Sequence, residues 1–161
     1  SPGIPYLPEI VAAKAAGKII TSATAIFFDE YEGKIIGVTG TKGKSTTAAL
    51  IFEVLKAAGL DVYLVGNIGL PALELLEQGN ENSLFVYELS SFQLADLQVS
   101  PHIAVITNIY PDHLDWHGSF ENYKKAKENI FKYQTKKDIL IQKNGAEAAR
   151  AVAKIFKKRC Y

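Results

Sequence analysis

The sequence predicts an α/β protein built on a mostly parallel sheet flanked by helices, and three observations carry that prediction. Short runs of β-branched and aromatic residues alternate with helical patterns along the chain. Two of these runs, 84–89 and 103–107, are apolar enough for strands buried on both faces. A glycine-rich stretch, 40–44, separates a strand pattern from a helical one, as in a P-loop-type βα unit.

Taken in order, residues 7–16 read as a helix with Pro8 in its first turn and Gly17 at its end. Residues 18–21 read as a short strand. The aromatic-rich stretch 25–31 is an ambiguous connector, and Glu32-Gly33 is a plausible boundary. The rhythm then becomes regular: strand 34–39, helix 45–58 stopped at Gly59, strand 62–65, and the turn Gly66-Asn67-Ile68-Gly69. Pro71 opens a helix over 71–78 that ends at Gly79. The strands 84–89 and 103–107 follow, then an amphipathic helix over 120–133, a strand over 138–141 and a last helix over 146–158. The chain carries no internal repeat and no low-complexity segment.

Composition narrows the function. The chain has 161 residues, enough for one domain with a small appendage, and 48% hydrophobic against 22% charged residues argues for a packed core. Lys+Arg of 18 against Asp+Glu of 17 leaves +1, which speaks against a polycationic nucleic-acid binder. One cysteine, Cys160, excludes an internal disulfide and fits a reducing compartment. No apolar run approaches the ~18 residues of a membrane span, and no signal-peptide pattern opens the chain. The start at Ser-Pro-Gly in place of Met reads as a cleaved or excised piece.

The sharpest chemical signal is Gly37-Val38-Thr39-Gly40-Thr41-Lys42-Gly43-Lys44-Ser45-Thr46, between a strand and a helix. Glycines let the backbone turn its N–H groups inward, and the helix N-terminus adds partial positive charge. Lys44 would reach the outer phosphates and the Ser45 hydroxyl would take Mg²⁺. Strict P-loop spacing wants glycine where Val38 stands, so an ordinary glycine-rich βα turn is the competing reading.

The stretch 39–46 resembles the ATP loop of the Mur ligase superfamily, which includes folylpolyglutamate synthase and departs from strict spacing in the same manner. Further resemblance lies in Ser1-Pro2-Gly3-Ile4-Pro5, in Gly66-Asn67-Ile68-Gly69, in Glu88-Leu89-Ser90-Ser91-Phe92-Gln93-Leu94, and in Asn108-Ile109 followed by Asp112-His113-Leu114-Asp115. The segment 88–94 points to the D-glutamate-adding branch. The resemblance implies 1–32 as the tail of an N-terminal domain with its linker, and 33–161 as a truncated central ATP-binding domain. It implies a cytoplasmic, ATP- and Mg²⁺-dependent amide ligase of peptidoglycan synthesis. The carboxylate of UDP-N-acetylmuramoyl-L-alanine would become an acyl phosphate and be attacked by D-glutamate, with no nucleic acid or membrane as partner. A sister ligase such as folylpolyglutamate synthase and a non-catalytic nucleotide-binding module are the alternatives.

Individual residues carry expectations of their own. The resemblance makes Gly40, Thr41, Lys42, Gly43, Lys44, Ser45 and Thr46 the nucleotide loop. Glu88 ends an apolar strand at the carboxyl edge where open α/β sheets bind ligands, and reads either as a Mg²⁺-holding carboxylate or as a helix-capping or surface glutamate; the resemblance implies the metal role jointly with Ser45. Ser90 and Gln93 suit a sugar or peptide substrate, or a helix cap. Asn67 either tolerates a left-handed turn or, by resemblance, contacts substrate at the reaction centre. His113 would by resemblance hold a second Mg²⁺ near the substrate; His117 reads as a surface residue and His102 as structural. Lys127 shares a helix face with Tyr123, Ile130 and Phe131. It either snorkels to solvent or, as the resemblance implies, is carbamylated into an anionic metal ligand. The basic run 154–159 reads as a solvated helix end.

Overall fold

A computed structural model describes residues 8–142. Its strands are β1 (Lys34–Thr39), β2 (Val62–Gly66), β3 (Leu84–Glu88), β4 (Ile103–Ile106) and β5 (Ile139–Gln142). Its helices are α1 (Pro8–Ala15), α2 (Ala23–Glu30), α3 (Lys44–Ala57), α4 (Ser91–Ala95), α5 (Leu114–His117) and α6 (Phe120–Lys132). Every strand pair is parallel, in the order β2-β3-β1-β4-β5. The α/β class read from the sequence is the class observed.

Alternation along the central strands divides the core in two. Phe85 and Tyr87 of β3 pack on one face with Phe27, Phe28 and Tyr31 from the α2 region and Ile130 from α6. Val38 and Val86 face the other way, onto Ala48 and Leu55 of α3. Register then sets the active edge. Val38 lies opposite Glu88 and Val105, and Gly66 opposite Glu88, so four strands end at nearly one level. The chain crosses from one side of β1 to the other between β3 and β4. Parallel strands that diverge in this manner open a crevice at their carboxyl ends.

Three local expectations are corrected. Residues 18–21 form no strand: Ile19 is 94% exposed, and among the described residues no neighbouring strand takes its backbone hydrogen bonds. The connector 25–31 is instead mostly helix α2, started by the Ser22 hydroxyl accepting from the Ala25 amide at 3.1 Å. Its aromatic residues supply core, with Phe27 fully buried 5.0 Å from the Phe85 ring. The segment before Glu32 thus packs into the same core as the sheet. The helix expected over 71–78 shrinks to a 3-10 turn, Ala72–Leu75. A bridge from Val65 to Leu70 and the Tyr63 hydroxyl donating to the Gln78 carbonyl tie both ends of that segment to β2. The helix read over 146–158 and the basic run 154–159 lie outside the described residues. Among the described residues, no helix is long and apolar enough to cross a membrane.

Candidate functional site

β1 delivers the glycine loop to the carboxyl edge. Thr39, its last residue, is fully buried and donates its hydroxyl to the Leu89 carbonyl at 2.8 Å. A side chain on Gly40 would run into the Thr107 hydroxyl, so glycine is demanded there by close approach. Gly43 caps α3 in the left-handed region, at φ 80°. Helix geometry leaves the amides of Lys44, Ser45 and Thr46 without an intrahelical acceptor, the first such bond running from the Thr47 amide to the Gly43 carbonyl. Those donors and the helix dipole favour an anion. Lys44 folds back over the loop, its Nζ 3.2 Å from the Thr41 carbonyl oxygen. Ser45 and Thr46 are exposed beside it.

β3 ends with Glu88, 2% exposed, whose Oε2 has no hydrogen-bond partner among the described residues. A buried carboxylate oxygen left in that condition is costly unless a proton donor or cation meets it. Its backbone carbonyl accepts from the Asn67 amide at 3.3 Å, which seats the exposed Asn67 beside the same edge. Ser90 and Gln93 form a reciprocal cap at the start of α4. The Gln93 amide donates to the Ser90 hydroxyl at 3.2 Å and the Ser90 amide to Gln93 Oε1 at 2.8 Å. The helix-cap geometry, one of the two readings for this pair, is present.

Lys127 does not snorkel. It is 1% exposed, and its Nζ donates to the Gly40 carbonyl at 2.9 Å and the Thr39 hydroxyl at 3.2 Å, 4.9 Å from the Tyr123 ring centroid. The apolar face of α6 lies over the loop, so the amine is trapped beneath it. Burial, reinforced by the positive charge of Lys44, pushes the amine down from 10.5 to about 7, while Asp112 and Glu88 act in the opposite sense. An appreciable neutral fraction at neutral pH gives it the character of a base or nucleophile.

His113 stands half-exposed as the N-terminal cap of α5, at φ 49°. Its Nε2 lies 3.6 Å from Asp112 Oδ2 and its ring 4.9 Å from that of Phe92. His117 is not the surface residue expected from sequence. The single turn of α5 swings it inward to 8% exposure, where Nε2 and the Ser91 hydroxyl share a 3.0 Å hydrogen bond. Its ring stacks 5.7 Å from Phe92 and meets the Tyr123 ring edge-on at 5.3 Å. Burial lowers its pKa, helped by the charges of His113 and Lys127. His102 is structural as expected, its Nδ1 accepting from the Ile35 amide at 3.4 Å.

Thr107, Asn108 and Tyr123 are contributors that sequence reasoning did not place in the site. Thr107 and Asn108 bond to the Lys42 backbone, and the Tyr123 hydroxyl shares a 2.9 Å hydrogen bond with that of Thr41. In the sequence Asn108 stands in the Asn108-Ile109 motif, Tyr123 shares a helix face with Lys127 and Thr107 reads as the end of strand 103–107, but nothing local tells that any of them reaches the glycine loop.

Among the described residues, no three His, Cys, Asp or Glu side chains gather into a ready-made metal cage. The orphan Glu88 oxygen and the accessible Ser45 hydroxyl suit Mg²⁺, which takes one or two protein oxygens and completes its shell with water and phosphate. Lys127 as an amine is a hydrogen-bond donor here, so a ligand role requires its conversion to an oxygen donor.

An all-parallel sheet with a Gly-Lys-Ser loop at the carboxyl end of its central strand defines a P-loop-type α/β domain. The Mur ligase middle domain matches residues 38–161, and the chain belongs to that family. It is 46% identical over 142 residues to a UDP-N-acetylmuramoylalanine–D-glutamate ligase of Acetivibrio thermocellus, covering 88% of this chain and 30% of that protein. A ligase of the same name from Symbiobacterium thermophilum is 45% identical over 154 residues, covering 95% and 34%. The chain thus spans about a third of the length of these curated relatives. Among solved structures, MurF ligase from Thermotoga maritima in complex with ADP superposes with a TM-score of 0.61 at 23% identity, covering 86% of this chain and 36% of that one. Escherichia coli FolC in complex with DHPP and ADP gives 0.55 at 20% identity, covering 83% and 43%. Both show the shared fold.

Proposed function

We propose that this chain is the phosphate-handling part of an ATP-dependent amide ligase that joins D-glutamate to UDP-N-acetylmuramoyl-L-alanine in cytoplasmic peptidoglycan synthesis. The observation that carries the reading is the pairing of the Lys44 loop with a buried, unpartnered Glu88 oxygen across one sheet edge. The curated relatives named for that reaction support the choice of substrates. In this reading 1–32 are the end of a preceding domain with its linker, and 33–161 belong to the central domain.

The loop Gly40, Thr41, Lys42, Gly43, Lys44, Ser45 and Thr46 holds the ATP phosphates, with the helix amides and Lys44 neutralising charge as the γ-phosphoryl group leaves. That group passes to the substrate carboxylate, giving the acyl phosphate that the amine of D-glutamate attacks with release of phosphate. Glu88 and Ser45 would hold Mg²⁺, which would supply charge neutralisation at the phosphates. Asn67, Ser90, Gln93 and His113 line the substrate side of the edge. The neutral amine of Lys127 would add to the carbon of CO₂, releasing a proton to solvent and leaving an anionic carbamate, which with His113 would offer donors for a second Mg²⁺.

Calorimetry with MgATP on the chain and on Lys44→Ala tests the loop; equal affinity removes the assignment. Phosphate release tests the reaction in a chimera, with this chain replacing the matched residues of the Acetivibrio relative. Release dependent on D-glutamate and UDP-N-acetylmuramoyl-L-alanine supports the reading, and release with a folate substrate instead favours a sister ligase. An added CO₂ mass on the peptide containing Lys127, trapped chemically, tests the carbamate; its absence under saturating CO₂ removes it.

A further inference from the structure

The glycine loop is not held by its own helix alone. Its outer peptide groups are pinned by the segment that leaves β4. The Thr41 amide donates to the Asn108 carbonyl at 2.9 Å, and the Lys42 amide to Asn108 Oδ1 at 2.9 Å. Asn108 Nδ2 returns a hydrogen bond to the Lys42 carbonyl at 2.9 Å, so side-chain amide and backbone peptide bind each other at both ends. Thr107 adds its hydroxyl to the same carbonyl at 2.7 Å and fills the space that a side chain at Gly40 would need. Further along, the Tyr110 amide donates to the Thr41 hydroxyl at 2.9 Å, which itself donates to the Tyr110 carbonyl at 3.1 Å.

This arrangement has a directional consequence. With Thr41 and Lys42 committed to Asn108, their N–H groups are turned toward the β4 side and away from an anion at the helix start. The amides left for phosphate are then those of Gly43 and the first turn of α3. Asn108 is also five residues before His113, so the same clasp ties the glycine loop to the segment that carries the half-exposed histidine. Only a side chain with a donor and an acceptor on one planar amide can satisfy both ends of the Lys42 peptide.

We propose that Asn108 is a positioning residue for phosphate binding, acting through the Lys42 backbone to fix the loop and to couple it to the His113 segment. This inference rests on the reading of residues 40–46 as a phosphate loop. Asn108→Ala removes both contacts, and Asn108→Asp keeps only the acceptor for the Lys42 amide while setting a carboxylate against a carbonyl. Tyr31→Phe, which removes a hydroxyl bonded to the Ser83 and Asn80 carbonyls, serves as a control for stability loss without a change at the loop.

The experiment measures MgATP affinity by calorimetry on the 161-residue chain and these variants. Thermal unfolding establishes that each is folded, and hydrogen exchange is followed at the Lys42 amide. The expected result is a loss of about tenfold or more in affinity for both Asn108 variants, with Tyr31→Phe unchanged in affinity despite a lower Tm. Exchange at the Lys42 amide should accelerate in Asn108→Ala and remain slow in Asn108→Asp, a pattern that general loosening does not produce. If Lys44→Ala weakens binding and the Asn108 variants do not, this inference is overturned and the loop reading stands. If Lys44→Ala has no effect, or the unaltered chain binds no MgATP, the loop reading fails and the inference with it. Should Asn108→Ala fail to fold, Asn108→Asp decides the question by itself.

Discussion

Lys127 gives the strongest quantitative test, because its burial has a thermodynamic signature independent of any ligand. The folded chain holds this amine at about 7, while an unfolded chain restores 10.5. Between those limits the unfolded state binds more protons than the folded one, so stability rises with pH. The sign follows from the ammonium being the disfavoured form. The penalty for burying it is fully present below pH 7 and is relieved as pH climbs toward 10.5. At its limit this displacement is worth about 5 kcal/mol, and roughly half of it is recovered between pH 7.5 and 9.5. Lys127→Met keeps the bulk of the stem and removes the titration, leaving the Gly40 carbonyl without its donor. Urea unfolding of both proteins in CO₂-free buffer, from pH 6 to 9.5, isolates the effect. The difference in unfolding free energy should move in favour of the unaltered chain by roughly 2 kcal/mol across the upper part of that range. Parallel stability curves from pH 7 to 9.5 would refute the claim that this amine is held neutral beneath the loop. The tyrosines with raised pKa, Tyr31, Tyr63, Tyr87 and Tyr123, titrate above this window in both proteins and cancel in the difference.

Three other perturbations address separate parts of the edge. Glu88→Gln keeps shape and removes charge; it should cut the Mg²⁺-dependent gain in ATP affinity by about tenfold while leaving metal-free affinity nearly unchanged, read by calorimetry with and without Mg²⁺. Gly40→Ala should destabilise the chain by about 1–3 kcal/mol in urea unfolding, because the new methyl group meets the Thr107 hydroxyl. Adding Thr107→Ala should recover part of that loss, and no recovery would assign the cost to backbone conformation instead. His117→Gln should cost about 1–3 kcal/mol at pH 7.5 through loss of its packing on Phe92 and its bond to Ser91. Since its pKa is lowered in the fold, the stability that His117 contributes is complete above pH 6.5 and falls as pH drops below that value. The gap between the two proteins should therefore narrow between pH 6.5 and 5, and a constant gap would contradict the burial.

What could be read in the sequence follows from how local its causes are. All five strands and the loop were legible because strand runs and glycine punctuation are written in neighbouring residues. The partner that makes a strand a strand is not. Ile19-Ile20 has the composition of one, yet stays outside the sheet. The aromatic residues of α2 looked like a connector because the surface they cover, Phe85 and Tyr87, lies nearly sixty positions away. The site divides in the same manner. Lys44 and Glu88 were legible as chemistry at the ends of strands, whereas the placement of Lys127 against Gly40 and of Asn108 against Lys42 depends on how α6 and the β4 exit dock. His117 was misread because a helix of one turn has no periodicity by which to assign its face.

The distribution of burial across the edge has its own logic. The groups beneath the loop, Thr39, Glu88 and Lys127, are almost wholly withdrawn from water, and Lys127 and Thr39 are tied to the protein by hydrogen bonds. The groups above it, Asn67, Ser45 and His113, are open to solvent. The phosphoryl transfer proposed for this edge would gain from such a split, since charge fixed in a dry floor interacts more strongly than charge in water. The floor is organised before any ligand arrives, with one exception: the Glu88 oxygen that nothing in the described residues meets. Burial and the Lys44 charge hold the Lys127 amine down, so it is not a full counter-charge for the carboxyl group of Glu88. A cation arriving with an anion at the start of α3 would meet that Glu88 oxygen first, which is the arrangement the proposed Mg²⁺ role requires.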